Sequence, residues 1–240
     1  MIKKWFLIRF SFLFLAFLNL DLCAWSMTPT IVSLDPNKPQ TFFTVSSEKK
    51  EKPAAIEVTA SKREINEKGE EILTDASNEF LIYPSQIILR ENSTKSIRVV
   101  WKGDKNNLKE EKAYRIIATS LPVNVTKTEN GEHAGEIGIN IAVATRYLNS
   151  LYITPNKAKA DVKCTKVYIE ESQESQRRIV IELTNFGNAH QYLVDLSFTA
   201  ENASQKFNVT KEMIQKNYPE GINILAQTKR NLYIPIEKND

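Results

Sequence analysis

"YPSQIILRENSTKSIRVVWKGD" runs from Tyr83 to Asp104 and holds two alternating apolar runs, a polar turn between them, and Arg98 inside the second run. Branched aliphatics in short alternating runs suit a half-buried pleated strand, and the Arg-Glu-Asn-Ser stretch between them suits a turn. The pattern repeats outward in both directions. "TIVSLDP" and "QTFFTVSS" precede it, separated by "DPNKP", whose Asp, Asn and Pro content predicts a turn. "AAIEVTASKRE" alternates Ile56, Val58 and Ala60, and "NEKGEE" supplies a glycine-bearing turn. "AYRIIATSLPV" and "GEIGINIAVATRYLNSLYITP" follow. Short strands every 8 to 15 residues or so, without a 3.6-residue period, predict an all-β antiparallel sandwich.

Pro155-Asn156-Lys157-Ala158 reads as a linker, after which the strand pattern restarts with "KADVKCTKVYIEE", "RRIVIELTNFGNAHQYLVDLSFTA", "QKFNVT" and "KRNLYIPIE". Only "KEMIQKNY" suggests a short helical turn. The expected organisation is therefore two β-sandwich domains, 27–154 and 155–240, the second small enough to lean on the first.

The first 26 residues differ from the rest. Lys3, Lys4 and Arg9 precede an uncharged run from Phe10 to Leu20, and small residues follow at Ala24 and Ser26. This is the three-part plan of a secretory signal peptide. The run is about half of the roughly 20 residues a spanning helix needs. Cleavage after Ser26 is expected, with cleavage after Ala24 or a retained anchor as alternatives. Removing Lys3, Lys4, Arg9 and Asp21 takes the 32 basic and 29 acidic residues to 29 and 28. A near-neutral chain has no electrostatic footprint for nucleic acid, so any important positive charge is local. Cys23 leaves with the signal and Cys164 stands alone, so no internal disulfide is expected. The alternation of "VKCTKVYI" predicts a buried, structural Cys164. A nucleophilic role lacks a partner, because His133 and His190 both read as loop residues. No GxGxxG, P-loop, CxxC or HExxH occurs, and no cofactor, metal or enzymatic activity is expected. Four Asn-x-Ser/Thr matches, at Asn92, Asn124, Asn202 and Asn208, have meaning only in a eukaryotic source.

Ile137, Ile139, Ile141 and Val143 occupy alternate positions, so one strand face would carry all four. Arg146-Tyr147 follows directly, while Arg115 lies in "YRII" and Arg98 in "SIRVV". Each arginine suits a solvated strand face, and together they permit a cationic anchor in a cleft. In order and spacing, "EFLIYPSQIILRENSTKSIRVVWKGD", "EKAYRIIATSLPV", "RYLNSLYITP", "AIEVTASKREINEKGEE" and "LTNFGNAHQYLVDL" resemble the periplasmic chaperones of the pilus chaperone–usher pathway, closest to the archaic or alternative branch.

The resemblance implies two immunoglobulin-like domains set as an L, in the periplasm. The first domain lends a strand to a pilus or fimbrial subunit that lacks one, cleft cations hold the subunit's terminal carboxylate, and an outer-membrane usher receives the complex. Mapped on this chain, Ile137, Ile139, Ile141 and Val143 form the donor ladder. Adding a strand would cover an unpaired sheet edge and an apolar groove together. Four aliphatic side chains would contribute on the order of 6–12 kcal/mol before ordering costs. Arg115 and Arg146 are the expected carboxylate anchors, with Arg98 third. Arg98's other expected place is the strand's solvated face or a clasp to the second domain.

Two departures stand out. The family's Lys-Leu-aromatic-aromatic-Arg-Pro run is replaced by "NSLYITP", with Ser150 where the lysine would be. Arg146 also has the opposite parity from the ladder, which calls for a bulge near Thr145. Self-association of the free chain is a further expectation. The alternative reading is a secreted two-domain scaffold or adhesin that buries Ile137–Val143 in its own core.

Overall fold

The computed structural model describes residues 25–48, 53–121, 144–171, 177–201 and 206–236. The ladder from Ile137 to Val143 lies outside them. In the first half the strands form two facing sheets. β1 (Trp25–Thr28), β3 (Gln40–Ser47), β8 (Thr94–Trp101) and β6 (Phe80–Tyr83) make the four-stranded sheet, in the order β1-β3-β8-β6. The second sheet runs β2 (Ile31–Leu34), β10 (Arg146–Ile153), β9 (Lys112–Leu121), β4 (Ala54–Ile65), β5 (Glu71–Asp75), with β7 (Gln86–Leu89) also on β4. β2 joins β10 in parallel, while β9 runs antiparallel to both β10 and β4.

Alternation decides what each sheet buries. Phe43, Val45, Ile97, Val99 and Trp101 point inward from one sheet. Ile56, Val58, Tyr114, Ile116, Leu151 and Ile153 meet them from the other. Each such aliphatic contributes about 1.5–3 kcal/mol through burial. Trp25 belongs to this core at 2 % exposure, edge-on to the ring of Tyr147.

A second core gathers residues after 160. β11 (Val162–Glu171), β12 (Arg177–Asn185) and β17 (Lys229–Pro235) form a three-stranded sheet. β13 (Gln191–Leu193) pairs with β16 (Ile222–Ile224), and β14 (Phe198–Glu201) with β15 (Lys206–Val209). The expected helical turn is α1 (Lys211–Asn217), capped by Thr210, whose side chain accepts the Met213 N–H. Ile179, Ile181, Leu183, Ile222, Leu232 and Ile234 fill this core. The long run expected as strand from Arg177 is divided by turns into β12, β13 and β14.

Cys164 corrects the sequence reading: it is exposed, not buried. β11 is a sheet edge, paired only with β12, and it bulges between Cys164 and Lys166. An edge strand with both faces open has alternation without burial, which is why the pattern misled.

Candidate functional site

The outer face of the six-stranded sheet turns away from the first core. On β9 the residues of that parity are Ala113, Arg115 and Ile117; on β4 they are Ser61, Arg63 and Ile65. Strand pairing sets Ser150, Arg115 and Ser61 in one row across β10, β9 and β4. Glu71 sits opposite Ile65 at the start of β5. The second half of the chain covers this face, and Ala113, Tyr152 and Leu225 form a small apolar cluster between them.

A cleft of about 480 Å³ remains there, lined from the first half by Arg63, Glu71, Arg115 and Ser150, and from the second by Asn223 and Arg230. Arg115 grips Glu71 with both sides of its fork: Nε donates to Oε1 at 2.8 Å and Nη2 to Oε2 at 2.8 Å. Its third nitrogen, Nη1, donates to Ser150 Oγ at 2.6 Å and to the Leu148 carbonyl at 3.1 Å. Arg63, 8 % exposed, donates from Nε to Glu71 Oε2 at 2.8 Å and from Nη1 to the Tyr152 hydroxyl at 3.0 Å. Burial alone would raise the Glu71 pKa. The Arg115 hydrogen bonds and the charges of Arg63 and Arg115 outweigh it and hold the carboxyl below its ordinary range.

The second half of the chain enters through Asn223, which donates to the Tyr152 hydroxyl at 2.7 Å. The Tyr152 ring stacks on His190, with centroids 3.8 Å apart and planes 8° from parallel. His190 Nδ1 lies 2.5 Å from Glu111 Oε1, and the His190 backbone N–H donates to the same oxygen at 2.9 Å. The Thr154 hydroxyl donates to Glu111 Oε2 at 2.7 Å. Burial pushes the Glu111 pKa up, but these hydrogen bonds and the His190 charge prevail and hold it below the usual value.

The hairpin tip between β4 and β5 also meets the second half, where Asn231 N–H donates to the Glu67 carbonyl at 2.6 Å. Gly69, at φ +88°, lets this turn close and leaves room for the Arg230 guanidinium; a Cβ there would sit 3.0 Å from Arg230 Nε and Nη2.

The three arginines singled out from the sequence have different places. Arg115 is in the cleft. Ser150 stands directly opposite it, so the cation missing from the Ser150 position reaches that position from the neighbouring strand. Arg146 is the exposed first residue of β10, with the parity of Leu148 and Ser150, both of which line the cleft. Arg98 is not brought to the cleft. It lies on the outer face of the four-stranded sheet, opposite Phe42 and Tyr83, and Nη2 donates to Gln40 Oε1 at 2.6 Å. Its place is the solvated-face alternative. The donor ladder and His133 fall outside the described residues.

Sequence reasoning missed Arg63, Glu71, Tyr152, Asn223 and Arg230. The available signal was a charge, Arg63, at a parity set against Ile56, Val58 and Ala60 in a strand too long for one sandwich edge. Among the described residues no group of three or more His, Cys, Asp or Glu is placed to hold a metal ion, and no helix is long and apolar enough to cross a membrane.

Among curated protein sequences none matches the chain. Solved structures share its fold. A chain of the CsuC–CsuE chaperone–tip adhesion subunit pre-assembly complex, from the archaic chaperone–usher Csu pili of Acinetobacter baumannii, aligns at TM-score 0.57 and 13 % identity, over 90 % of each chain. A chain of the chaperone–tip adhesin complex of CFA/I fimbriae aligns at TM-score 0.52 and 16 % identity, over 90 % of this chain and 87 % of that one. A chain of the Salmonella enterica SafA pilin–SafB chaperone complex gives TM-score 0.52 and 12 % identity, over 90 % and 86 %. The two cores and their sheets thus fit the two immunoglobulin-like domains of such chaperones. Residues 24–158, more than half the sequence, match the family "Pili and flagellar-assembly chaperone, PapD N-terminal domain", and the chain belongs to that family of pilus-assembly chaperones.

Proposed function

We propose that this chaperone captures pilus subunits in the periplasm by lending them the strand that carries Ile137, Ile139, Ile141 and Val143, holds the subunit's terminal carboxylate in the cleft, and passes the complex to an outer-membrane usher. It acts by binding, not by catalysis. The observation that carries the reading is the arginine fork. Arg115 and Arg63 already grip one carboxylate, that of Glu71, beside Ser150. A guanidinium fork suits a carboxylate bidentately and fixes register as well as adding energy.

Only residues 144–149 separate Val143, the end of the ladder, from Ser150, at most about 23 Å of extended chain. A subunit strand paired along the ladder therefore has its end within reach of the cleft. Arg146 lies along that path and completes the anchor with Arg115. The chaperones of the CsuC–CsuE and SafA–SafB complexes, with which this chain shares its fold, are bound to such subunits.

We propose cleavage of the signal peptide after Ala24, the alternative to the expected site after Ser26. Trp25 and Ser26 form half of β1, Trp25 is buried, and its carbonyl accepts a hydrogen bond from the Tyr147 hydroxyl. Cleavage after Ser26 would remove both.

The test is co-expression of the chain with candidate subunits from its own gene neighbourhood, followed by pull-down from the periplasm. A 1:1 complex that is lost on Ile139→Asp, with the chaperone still soluble, is the expected result. Loss of the chaperone's own folding in Ile139→Asp would favour the core-strand reading of a scaffold or adhesin.

A further inference from the structure

We propose that Arg230, in the second domain, takes the incoming terminal carboxylate together with the first-domain arginines, so that subunit capture ties the two domains to each other. This rests on the capture reading above and adds a residue, and a consequence, that the reading does not contain.

Charge in the cleft is unevenly spent. Arg63, Arg115 and Arg230 line it together with two acidic residues, Glu71 and Glu220, which leaves one formal positive charge in excess; only Glu71 is paired with arginine, and the nearby His190 and Glu111 are paired with each other. Arg115 has four of its five donors engaged, with Nε and one Nη2 N–H on Glu71 and Nη1 on Ser150 and Leu148. Arg63 divides itself between Glu71 and Tyr152.

Arg230 has no carboxylate partner among the described residues. Nη1 donates to the Asn223 carbonyl at 2.9 Å, and Nε is buried with no hydrogen-bond partner among those residues. A guanidinium cannot shed its proton to relieve such burial, so an unpaired buried Nε–H is a standing cost. Desolvation lowers the Arg230 pKa, Tyr218 opposes it in part, and the like charge of Arg63 adds to the lowering. Both observations describe a cation that lacks an anion and faces another cation across the same cavity.

The glycine opposite reinforces this. Gly69 keeps the hairpin backbone against the Arg230 fork without a side chain in the way, and the second domain holds the hairpin through Asn231 and Glu67. The occupant that fits is one carboxylate at the end of an extended apolar chain. It gives the Arg230 guanidinium an anion, separates two repelling guanidinium groups, and bonds to both domains at once.

The experiment titrates the mature full-length chain with an N-acetylated six-residue peptide of alternating valine and serine, as the free acid and as the C-terminal amide. Affinity is read from peptide-induced shifts, and the arginine Nε–Hε signals in ¹⁵N spectra identify which guanidinium is engaged. The wild type is expected to prefer the acid by about tenfold or more, and Arg230→Gln to bring the two within about twofold. Arg230→Lys, which keeps the charge but not the fork, is expected to fall between them. It serves as the deciding variant if Arg230→Gln does not fold. Arg98→Gln removes an equal charge from the outer sheet face and is expected to retain the full preference, which excludes a bulk-charge effect.

Full acid preference in the Arg230 variants, lost instead in Arg115→Gln, would overturn the assignment while leaving carboxylate capture intact. A wild type that binds acid and amide alike would overturn the carboxylate anchor itself. Strand donation would then stand or fall separately, by the subunit pull-down.

Discussion

Replacing Glu111 with alanine removes a side chain that fastens the domain interface from both sides. Its carboxylate is 2 % exposed and accepts from the His190 ring, the His190 backbone N–H and the Thr154 hydroxyl. Hydrogen bonds to a charged group contribute about 1.5–3 kcal/mol each, and buried donors left behind cost about 1–3 kcal/mol. The three share one acceptor and do not add, so a net loss of about 2–4 kcal/mol is expected. For a chain of this length that lowers the melting temperature by about 5–15 °C.

The pH dependence gives a sharper check. The folded-state pKa of Glu111 is held below its ordinary 4.5. The unfolded chain therefore binds this proton first as pH falls. The stabilisation is complete above about pH 4.5 and drains away as pH drops through the folded value. Urea unfolding of wild type and Glu111→Ala from about pH 7 to about pH 3.5 should show a gap that is constant at the top and narrows below about pH 4.5. A gap under about 0.5 kcal/mol at neutral pH, or one unaffected by acid, would refute the role of this carboxylate as the interface clamp.

Arg115→Ala should reduce subunit yield in periplasmic pull-downs several-fold or more while costing only about 1–2 kcal/mol in denaturant titration, because Glu71 keeps its bond to Arg63. Arg146→Ala, on an exposed residue, should reduce the yield with no measurable change in stability. Cys164 is exposed, and burial of its sulfur pushes the thiol pKa upward, so the native chain should take up one equivalent of maleimide, faster as pH rises, without unfolding. Mass spectrometry of the periplasmic protein should give a chain beginning at Trp25; one beginning at Met27 would contradict the place of Trp25 in the core.

Much of the first domain was legible because alternation and burial agree there. Ile97, Val99 and Trp101 point inward on β8, with Arg98 between them pointing out. The same logic failed at Cys164, where β11 keeps the alternating pattern on a sheet edge that buries neither face. Periodicity reports which residues share a face, and only the neighbouring elements decide whether that face is covered. The inverse failure occurred at Arg63. A charge at the solvent parity of β4 reads as surface, yet the second domain lies over it and leaves it 8 % exposed.

The cleft needed a further kind of information, the register between strands. Arg115 and Ser150 are 35 positions apart, and nothing in either run says that they face each other. The sequence shows a serine where the family resemblance calls for a lysine, which suggests a lost anchor. Pairing of β9 with β10 sets Arg115 opposite Ser150, so the guanidinium arrives beside the same point from the next strand. A cation supplied this way differs chemically from the lysine it replaces. Lysine is a point charge, whereas this fork has two parallel donors already set in carboxylate geometry by Glu71. Ser150 is small, and Arg115 reaches its hydroxyl from β9 while Arg230 lines the same cleft from the second domain. The serine that looked like the loss of a cation in one strand therefore sits within a cluster of arginines assembled from β4, β9 and the second domain around Glu71 of β5.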